Sequence, residues 1–576
     1  MNMSDLLTDM AKEAFEQVGI GEYPVVLQPV KSPQFGDYQI NGVIAAAKRI
    51  QRNPRELADK VVQYLDKQDI IQSLEVAGPG FINIRLDGHF LNQQVNLMLE
   101  DNRLGVKPSL HGKKIVIDYS SPNLAKEMHV GHLRSTIIGD SLNRIYQFMG
   151  ANVIPQNHVG DWGTQFGMLV AYLIEQEQKS ESEFILSDLE VFYRQAKKKF
   201  DEDKSFADLA RGYVLRLQNN DPEILKYWKK FVETSIEHIQ AIYQRLGVLL
   251  TRDDIFGESE YNEELPKIVN LLLEKGIAVT DDNGTKLVYL EDLRDENDRP
   301  GVLIIQKQDG GYLYATTDFA CLKTNIQDHH ATHLIYVVDS RQELHFKSLF
   351  NISERAGWLP ENVLAEHVAF GTIMGDDGKP FKTRDGKTIK LVDLLNEAVS
   401  RAKDLIQSKN PDLTSESINE IAEVVGIGAV KYADLSKNRL SDYIFNWDKM
   451  LSFEGNTAPY LQYAYARISS LLNKSGVEPK QLIQEVAYRE RLEQQLAVSL
   501  LKFEEVLLQV IDSSNPHYLA GYLYQLATLF SRFYEAHDIL KAPDKIKLER
   551  LALSDLTGRI LKQGLDLLGI NVLKRM

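Results

Sequence analysis

Two histidines spaced three residues apart are the first group in the sequence that could carry out chemistry. They lie in His129-Val130-Gly131-His132, where a helical pattern begins. Side chains at i and i+3 share one helix face, and a helix N-terminus attracts anions through free N–H groups and its positive dipole end. The imidazoles could therefore donate hydrogen bonds to an α-phosphate under attack. Gly131 would let a flat base or ribose approach the backbone, and Lys126 could add a cation.

A second group of cations lies in the glycine-rich segment 371–386. It contains Lys379, Lys382 and Arg384, and it follows a predicted strand at His367–Phe370. A mobile loop that brings cations onto a pyrophosphate would have this composition. An exposed hairpin with a solvated basic tip would have the same composition.

The spacing of the two histidines also fits half of a metal site or a simple polar helix start. The secondary-structure elements around the histidines help to choose among these alternatives. Lys114–Tyr119 predicts a strand buried in a parallel sheet. The helix is expected to run from about Val130 to Met149, with Gly150 closing it. Ala151–Asn157 predicts a second strand, which completes a βαβ unit. In that setting a nucleotide site at the helix start is favoured.

The whole chain is predicted to be α/β, with four segments. Residues 1–108 predict an α+β domain, and residues 109–395 a Rossmann-type parallel-sheet catalytic domain with a helical and β insertion at about 175–330. Residues 396–455 predict a connecting helical region, and residues 456–576 an all-α bundle. Further strands are predicted at Tyr23–Leu27, Phe81–Leu86, Lys286–Leu290, Val302–Ile305 and Leu334–Asp339, and further helices at Leu6–Val18, Val43–Ile50, Pro54–Leu65 and His89–Leu99.

Composition and charge narrow the class of protein. With 44% hydrophobic and 26% charged residues the chain is globular. A net charge of −15 argues against broad polyanion binding but leaves room for a local basic surface. Cys321 is the one cysteine, so we expect a reduced compartment and no structural zinc. Without further clustered ligands beside the two histidines, no metal site is predicted. The N-terminus lacks a signal-peptide pattern and no apolar run is long enough to span a membrane, which predicts a cytoplasmic protein.

In combination, the H-x-G-H helix start and a K-x-x-K loop resemble a class I aminoacyl-tRNA synthetase. Finer motifs resemble the arginyl-tRNA synthetases of bacterial type, and the resemblance covers the whole chain. These motifs are Ser120–Lys126 leading into His129–Asp140, Gly160–Gly167, Tyr314–Asp318 and Asn456–Tyr463, with Gln34–Gln39 similar to the family's N-terminal domain. The resemblance implies an enzyme that uses Mg-ATP to make arginyl-adenylate from L-arginine and transfers the arginyl group to tRNA(Arg). It also implies a monomer, and a first step that requires bound tRNA.

The resemblance assigns roles to individual residues. Catalytic roles fall to His129, His132, Lys126 and Lys382, and ATP contacts to His129, Gly131, His132, Lys379 and Lys382. Arginine contacts fall to Asp118, Asn123, Glu258, Tyr314, Asp318 and Gln342, which suit a guanidinium because it needs carboxylates and aligned acceptors. Contacts to tRNA fall to Phe35 and Tyr38, which resemble contacts to the tRNA elbow. They also fall to Tyr460 and Arg467 in the helical bundle, since aromatic and cationic groups suit stacking on splayed anticodon bases.

Each assignment has a structural alternative. Tyr314 and Asp318 could be an ordinary pair on a helix surface, Glu258 an acid at a helix start, and a tyrosine at helical spacing a core residue. The family's loop usually reads Lys-Met-Ser-Lys-Ser, whereas Lys379 to Thr383 reads Lys-Pro-Phe-Lys-Thr. The resemblance therefore suggests that Lys126 supplies part of the transition-state charge.

Two other functions share part of the pattern. An H-x-G-H adenylyl transferase that makes a small nucleotide product would have the same first site, but it needs neither the N-terminal module nor the helical bundle. A non-catalytic RNA-binding relative would keep both end domains but should lose the histidines. Attachment of labelled arginine to tRNA in the presence of ATP separates the three.

Overall fold

The computed structural model divides the chain into two compact units. One consists of Met1–Ser109, Thr414–Tyr432 and Lys449–Met576, and the other of Leu110–Leu413 and Ala433–Asp448. The residues that the structure describes are 2–30, 32–65, 68–124, 126–161, 164–179, 189–218, 220–294, 300–375, 377–381, 389–483 and 488–576. Among these residues, no helix has both the length and the apolar character needed to cross a membrane.

The N-terminal part of the first unit is an α+β structure around a four-stranded antiparallel sheet. Its elements are α1 (Met3–Gln17), β1 (Leu27–Pro29), β2 (Tyr38–Ile40), α2 (Gly42–Arg49), α3 (Pro54–Tyr64), β3 (Ile71–Ala77), β4 (Phe81–Leu86) and α4 (Gly88–Glu100). The strand order is β1-β2-β4-β3. Local sequence sets the helix starts: the Asn53 side chain accepts hydrogen bonds from the first backbone N–H groups of α3, and Pro54 occupies the first helical position.

The second unit begins with a βαβ unit and continues through two insertions. Its elements are β5 (Lys114–Asp118), α5 (Val130–Phe148), β6 (Asn152–Val159), α6 (Thr164–Lys179), α7 (Leu189–Glu202), α8 (Lys204–Gln218), α9 (Pro222–Leu246), β7 (Ile255–Gly257), α10 (Leu265–Glu274), β8 (Val279–Thr280), β9 (Lys286–Arg294), β10 (Pro300–Gln306), α11 (Tyr314–Gln327), β11 (His333–Tyr336), α12 (Glu343–Ala356), β12 (Leu364–His367), β13 (Ile373–Met374) and α13 (Leu391–Lys409). Helices α6 to α9 separate β6 from β7, and the antiparallel strands β8 to β10 separate β7 from β11.

A five-stranded parallel sheet positions the candidate site. Its order is β12-β11-β5-β6-β7. Numbered by their appearance in this sheet and read from β7 to β12, the strands run 3-2-1-4-5, as in a Rossmann fold. Between neighbours β5 and β11 the connections diverge, and ligands of such sheets bind beyond the carboxyl ends of the strands at this point. Those ends are Asp118 and Tyr336, which are in register with each other.

The remaining elements are almost entirely helical. They are α14 (Ser415–Leu435), β14 (Tyr443–Ile444), α15 (Trp447–Met450), α16 (Ala458–Ser475), α17 (Arg491–Leu501), α18 (Phe503–Ser513), α19 (His517–Ala536) and α20 (Asp544–Leu567). Strand β14 pairs in parallel with β13 in the second unit, and α16 to α20 pack as a bundle in the first unit through buried Leu, Ala and Phe side chains. The predicted fold class is confirmed: a Rossmann-type sheet with insertions, an α+β N-terminal part and an all-α C-terminal part.

Candidate active site

The start of α5 is built by the two histidines themselves. His129 is the N-cap, and its Nδ1 accepts a hydrogen bond from the Gly131 N–H at 3.1 Å. The Nδ1 of His132 accepts from the His129 N–H at 3.1 Å, and the two ring centroids are 4.0 Å apart. Because Nδ1 is the acceptor in each neutral ring, the proton lies on Nε2. The donor group of each imidazole is therefore its Nε2–H.

The second histidine is neutral at physiological pH. Burial, together with the neighbouring His129, lowers the pKa of His132 to about 3. His132 can thus donate a hydrogen bond to a phosphate oxygen but cannot supply a full positive charge. Among the side chains, lysine or arginine would have to supply a full positive charge instead.

Gly131 has a steric role at the helix start. A Cβ atom at this position would lie 2.8 Å from Cε1 and 2.9 Å from Nδ1 of His129. The imidazole of His129 therefore lies over the glycine in space that a larger residue would fill. The close approach of a base or ribose to Gly131 stays a prediction. Any side chain at this position would displace the His129 ring that caps the helix.

Two serines in left-handed conformations connect β5 to the segment before the histidines. Ser120 has φ +74° and Ser121 has φ +46°, conformations that are costly for residues other than glycine. The Ser120 hydroxyl lies 2.8 Å from Thr136 Oγ1 and 2.5 Å from Tyr243 Oη. These buried hydrogen bonds hold the turn, which the sequence indicated only as the end of a strand.

A buried carboxylate marks the carboxyl end of β5. Asp118 accepts a hydrogen bond from Ser121 Oγ at 3.0 Å, and its Oδ2 lies 3.4 Å from His158 Nδ1 on β6. The other ring nitrogen of His158 lies 3.3 Å from Tyr261 Oη. His158 was not among the predicted residues, because its neighbours in the site come from segments distant in sequence.

Glu258 is the carboxylate most affected by its surroundings. It is half-buried just after β7, and burial, followed by repulsion from Asp161 and Asp318, raises its pKa to about 7. Asp161 is itself buried and accepts from the N–H and the hydroxyl of Ser259 at 3.0 and 2.6 Å. Acidic groups that repel one another in this way favour a cationic ligand.

Helix α11 contributes the other predicted pair. Its first residue, Tyr314, is 56% exposed, with its ring 4.9 Å from that of His345. Asp318, one turn later, lies 2.7 Å from His345 Nε2. The charge of Asp318 acts on Glu258, so the structure brings Tyr314, Asp318 and Glu258 together near the sheet edge.

Two further predicted arginine contacts, Asn123 and Gln342, are exposed residues in segments that follow strands of this sheet. Asn123 forms an isolated parallel bridge with Gly160, and a Cβ atom at Gly160 would lie 2.5 Å from Asn123 Oδ1. Gln342 is exposed at the end of a short 3-10 helix, Ser340–Gln342, which follows β11.

Two of the predicted cations, Lys126 and Lys379, are exposed, and Arg384 lies outside the described residues. The ammonium of Lys126 lies 4.6 Å from the ring centroid of Tyr193. Lys379 belongs to a tight turn, in which its carbonyl accepts from the Gly375 N–H at 2.7 Å and its N–H donates to Asp377 Oδ1 at 3.1 Å. Lys382 lies outside the described residues.

The chain returning from this loop pairs with the segment that enters α5. The Val130 N–H donates to the Ile389 carbonyl at 3.0 Å, and the Leu391 N–H to the Met128 carbonyl at 2.9 Å. An ion pair joins Lys390 Nζ to Glu127 Oε2 at 2.7 Å. In the described ranges, no group of three His, Cys, Asp or Glu side chains is arranged to hold a metal ion.

Comparisons with known proteins agree with this geometry. A family model described as "tRNA synthetases class I (R), catalytic domain" matches residues 94–447, and models of the "Arginyl tRNA synthetase N terminal domain" and the "DALR anticodon binding domain" match residues 2–86 and 461–576. Arginine–tRNA ligases of Chromobacterium violaceum and Laribacter hongkongensis are 51% and 52% identical to the chain, with all of each protein covered.

The chain belongs to the arginyl-tRNA synthetases.

The fold comparison is consistent with this membership. The chain is similar to the crystal structure of an arginyl-tRNA synthetase from Plasmodium falciparum, with a TM-score of 0.85 and 28% identity over 100% of this chain and 99% of that one. The resemblance drawn from the motifs, to a class I arginyl-tRNA synthetase, is therefore confirmed.

Of the two candidate tRNA contacts in the N-terminal part of this synthetase, one is exposed and one is not. Phe35 is 47% exposed at the end of a 3-10 helix, Pro33–Phe35. Tyr38 is fully buried on β2, with its hydroxyl 3.4 Å from Glu505 Oε1. Its ring has no free face for a base, so the expectation of direct stacking by Tyr38 does not fit this structure.

The two candidates in the helical bundle lie on α16. Tyr460 is half-buried, and its hydroxyl lies 3.4 Å from Ser531 Oγ. The guanidinium of Arg467 lies 5.2 and 5.3 Å from the ring centroids of Tyr463 and Tyr534. Tyr463 is exposed and Arg467 half-buried, so this group is partly open to solvent.

Proposed function

We propose that this arginyl-tRNA synthetase activates L-arginine with ATP and transfers the arginyl group to tRNA(Arg). In the first step an arginine carboxylate oxygen attacks the α-phosphorus of ATP, the bond to pyrophosphate breaks, and arginyl-adenylate forms. In the second step a hydroxyl of the terminal tRNA ribose attacks the carbonyl carbon and AMP leaves. One arrangement supports this proposal above all: paired Nε2–H donors at the helix start that follows β5, and an acidic cluster just beyond the ends of β6 and β7 in the same sheet.

The acidic cluster suits arginine. Glu258 and Asp318, together with the Tyr314 hydroxyl, offer oxygen acceptors to a planar guanidinium. That group is always charged and has five N–H donors. Asp118 and Asn123 lie at the end of β5 and just after it, toward the histidines, and we assign them to the α-amino and carboxyl groups. Gln342 is assigned to the same substrate. Binding one cation would relieve the repulsion that now raises the pKa of Glu258.

At the nucleotide end, the proposed catalysis relies on positioning and electrostatics. His129 and His132 donate hydrogen bonds from Nε2–H to phosphate oxygens. Gly131 leaves room for the His129 ring, and Lys126 and Lys379 supply positive charge. Lys382 is assigned the same role on the family pattern alone. Magnesium is proposed to enter with ATP, bound to its phosphates as Mg-ATP.

The remaining assignments extend beyond the active site. We assign tRNA contacts to Phe35, Tyr460 and Arg467, and keep the division into segments 1–108, 109–395, 396–455 and 456–576 as the functional one. The protein is proposed to act as a cytoplasmic monomer that needs bound tRNA for arginine activation. Exchange assays with and without tRNA check that requirement.

The variant His132→Ala tests the catalytic assignment. Loss of one preorganised donor is expected to lower the rate of arginine-dependent ATP–pyrophosphate exchange, with tRNA present, by about 10²-fold or more. His111→Ala is the matched control, because His111 is an exposed histidine with no assigned role. Wild-type exchange by a folded His132→Ala protein would refute the site.

A further inference from the structure

Arg134 is a fully buried cation two residues beyond the second histidine on α5. Its Nε lies 2.9 Å from Asp434 Oδ2, which is equally buried. Its Nη1 donates to the Ser441 carbonyl at 3.2 Å. The rings of Phe370 and Tyr443 flank the guanidinium, with centroids 5.7 and 5.4 Å away. One side chain of the histidine-bearing helix thus contacts three separate segments of the second unit.

These contacted segments carry the loop that contains Lys379. Tyr443 is the first residue of β14, whose partner β13 leads directly into the Lys379 turn. The Thr372 N–H donates to Asp442 Oδ1 at 2.6 Å, which fixes the entry to β13. Beyond the turn, the ring of Phe381 stacks on that of Phe445 at 4.7 Å. The β13–β14 pair and its flanking residues therefore form the base of the loop.

The chemistry of the contact favours a geometric role over a purely stabilising one. Desolvation makes a buried ion pair a weak source of stability, and apolar residues of similar volume often serve as well. A planar guanidinium, in contrast, can set direction: its nitrogens lie close to a carboxylate and donate to a carbonyl, and two aromatic rings lie near it. Lysine would retain the charge at Arg134 but not this geometry.

We propose that Arg134 is a positioning residue for adenylate formation. Through Asp434 and Ser441 it holds the β13–β14 pair against α5, so that Lys379 and the Nε2–H groups of the histidines keep one geometry around the α-phosphate. Displacements of about 1 Å can reduce catalysis by roughly 10²-fold, so a loosened contact would slow the chemical step. The inference rests on the proposed role of the α5 start.

The variants Arg134→Lys and Asp434→Asn test the proposal in the full-length enzyme. Each is expected to lower kcat of tRNA-supported ATP–pyrophosphate exchange by about 10-fold or more, while KM for arginine stays within about 2-fold, because Glu258 and Asp318 are untouched. Hydrogen–deuterium exchange of peptides covering residues 371–375 and 440–447 is expected to become faster in both variants. Using both variants allows for the failure of either one to fold.

Arg144→Lys is the matched control. Arg144 lies on the same helix, ten residues beyond Arg134; its Nε pairs with the buried Asp140 at 2.8 Å, and its Nη2 donates to the Gly247 carbonyl. Arg144→Lys is expected to leave kcat within about 2-fold of wild type and the exchange of both peptides unchanged.

The possible outcomes separate this inference from the proposed function. Unchanged kcat in folded Arg134→Lys and Asp434→Asn, or an equal loss in Arg144→Lys, overturns the positioning role. Loss of kcat without faster exchange in the two peptides overturns it as well. If His132→Ala is fully active, the proposed active site itself fails; if His132→Ala is inactive while Arg134→Lys is normal, only the inference about Arg134 fails.

Discussion

The ionisation of Glu258 links the acidic cluster to the pH of the medium. Burial and two neighbouring carboxylates raise its pKa to about 7, so the group is mostly protonated at pH 6 and mostly charged at pH 8. Only the charged form is a full partner for a guanidinium, which never loses its proton in this range. Arginine affinity should therefore rise with pH across neutrality.

We expect KM for arginine to fall by about 10-fold between pH 6 and pH 8, as the charged fraction of a group with this pKa increases. In Glu258→Gln, KM should be higher and nearly constant with pH. The measurement is the arginine dependence of exchange at fixed ATP and tRNA. Glu263→Gln, at an exposed position on the same segment, should retain the full pH dependence; a flat profile in the wild type would contradict the assignment.

The neutral state of His132 limits what the α5 start can contribute to the proposed reaction. Because the pKa of His132 is lowered to about 3, it remains neutral throughout the range in which the enzyme is assayed. The proposal therefore assigns side-chain positive charge at the α-phosphate to Lys126 and Lys379. The residue pattern alone could not give this result, since two histidines at a helix start can equally be charged.

At the scale of elements, a substitution at the start of α5 should change catalysis without changing stability. Alanine is intrinsically better than glycine within a helix by about 1 kcal/mol, so Gly131→Ala should favour the helix. The added Cβ would nevertheless lie 2.8 Å from His129 Cε1 and displace the capping ring, which costs about 1 kcal/mol. The two effects nearly cancel in stability but not in activity.

Gly131→Ala is therefore expected to lower kcat by about 10-fold or more, with a thermal unfolding midpoint close to that of the wild type. Exchange kinetics and a thermal melt measure the two effects. Gly212→Ala is the control, because a Cβ there meets no atom within 4 Å. Equal activities of Gly131→Ala and the wild type would show that the His129 ring needs no fixed position.

Elements with strong local signals followed the predictions from sequence. The strand Phe81–Leu86 and the helices at Pro54 and Val130 begin where predicted, because glycines and proline precede the strand and capping residues precede the helices. The strand expected at Tyr23–Leu27 is wrong: Val26 has φ +51° and the strand is Leu27–Pro29. The sequence did not predict β2, because a strand of three residues is too short to show a periodic pattern. In the structure, β2 is defined by its pairing with β1 and β4.

The candidate site was predictable where its residues adjoin a motif. The histidines, Asp118 and Asp318 all lie in recognisable segments, and the structure places them at the sheet edge. Contacts between distant segments carry no local pattern, however. The pairing of Arg134 with Asp434 joins positions 300 residues apart, and only the folded sheet brings His158 to Asp118.

At the scale of the whole molecule, tRNA binding must overcome a net charge of −15. Long-range attraction is unfavourable, so local cations beside aromatic rings should dominate. Arg467, close to the rings of Tyr463 and Tyr534, is the clearest such group on α16. Contacts with two rings restrict its side chain, which reduces the entropy lost when a base stacks on it.

Arg467→Ala is expected to raise KM for tRNA by about 10-fold, which corresponds to the lower part of the range for loss of one stacked base, with KM for arginine unchanged. Aminoacylation at varied tRNA concentration measures the effect. Lys474→Ala removes the same charge from an exposed position on the same helix and should change KM by about 2-fold or less. Similar effects of both variants would indicate general electrostatics instead of stacking.

The strand order of the sheet also has a consequence for how the protein is made. Ile115 on β5 pairs with His333 on β11, so roughly 200 residues must be translated before β5 gains its neighbour on that side. At about 5–20 residues per second, the nascent chain exposes one apolar edge of β5 for some tens of seconds. The βαβ unit can form early, but the edge that becomes the switch point completes late. During synthesis, this edge is where we expect chaperones to bind.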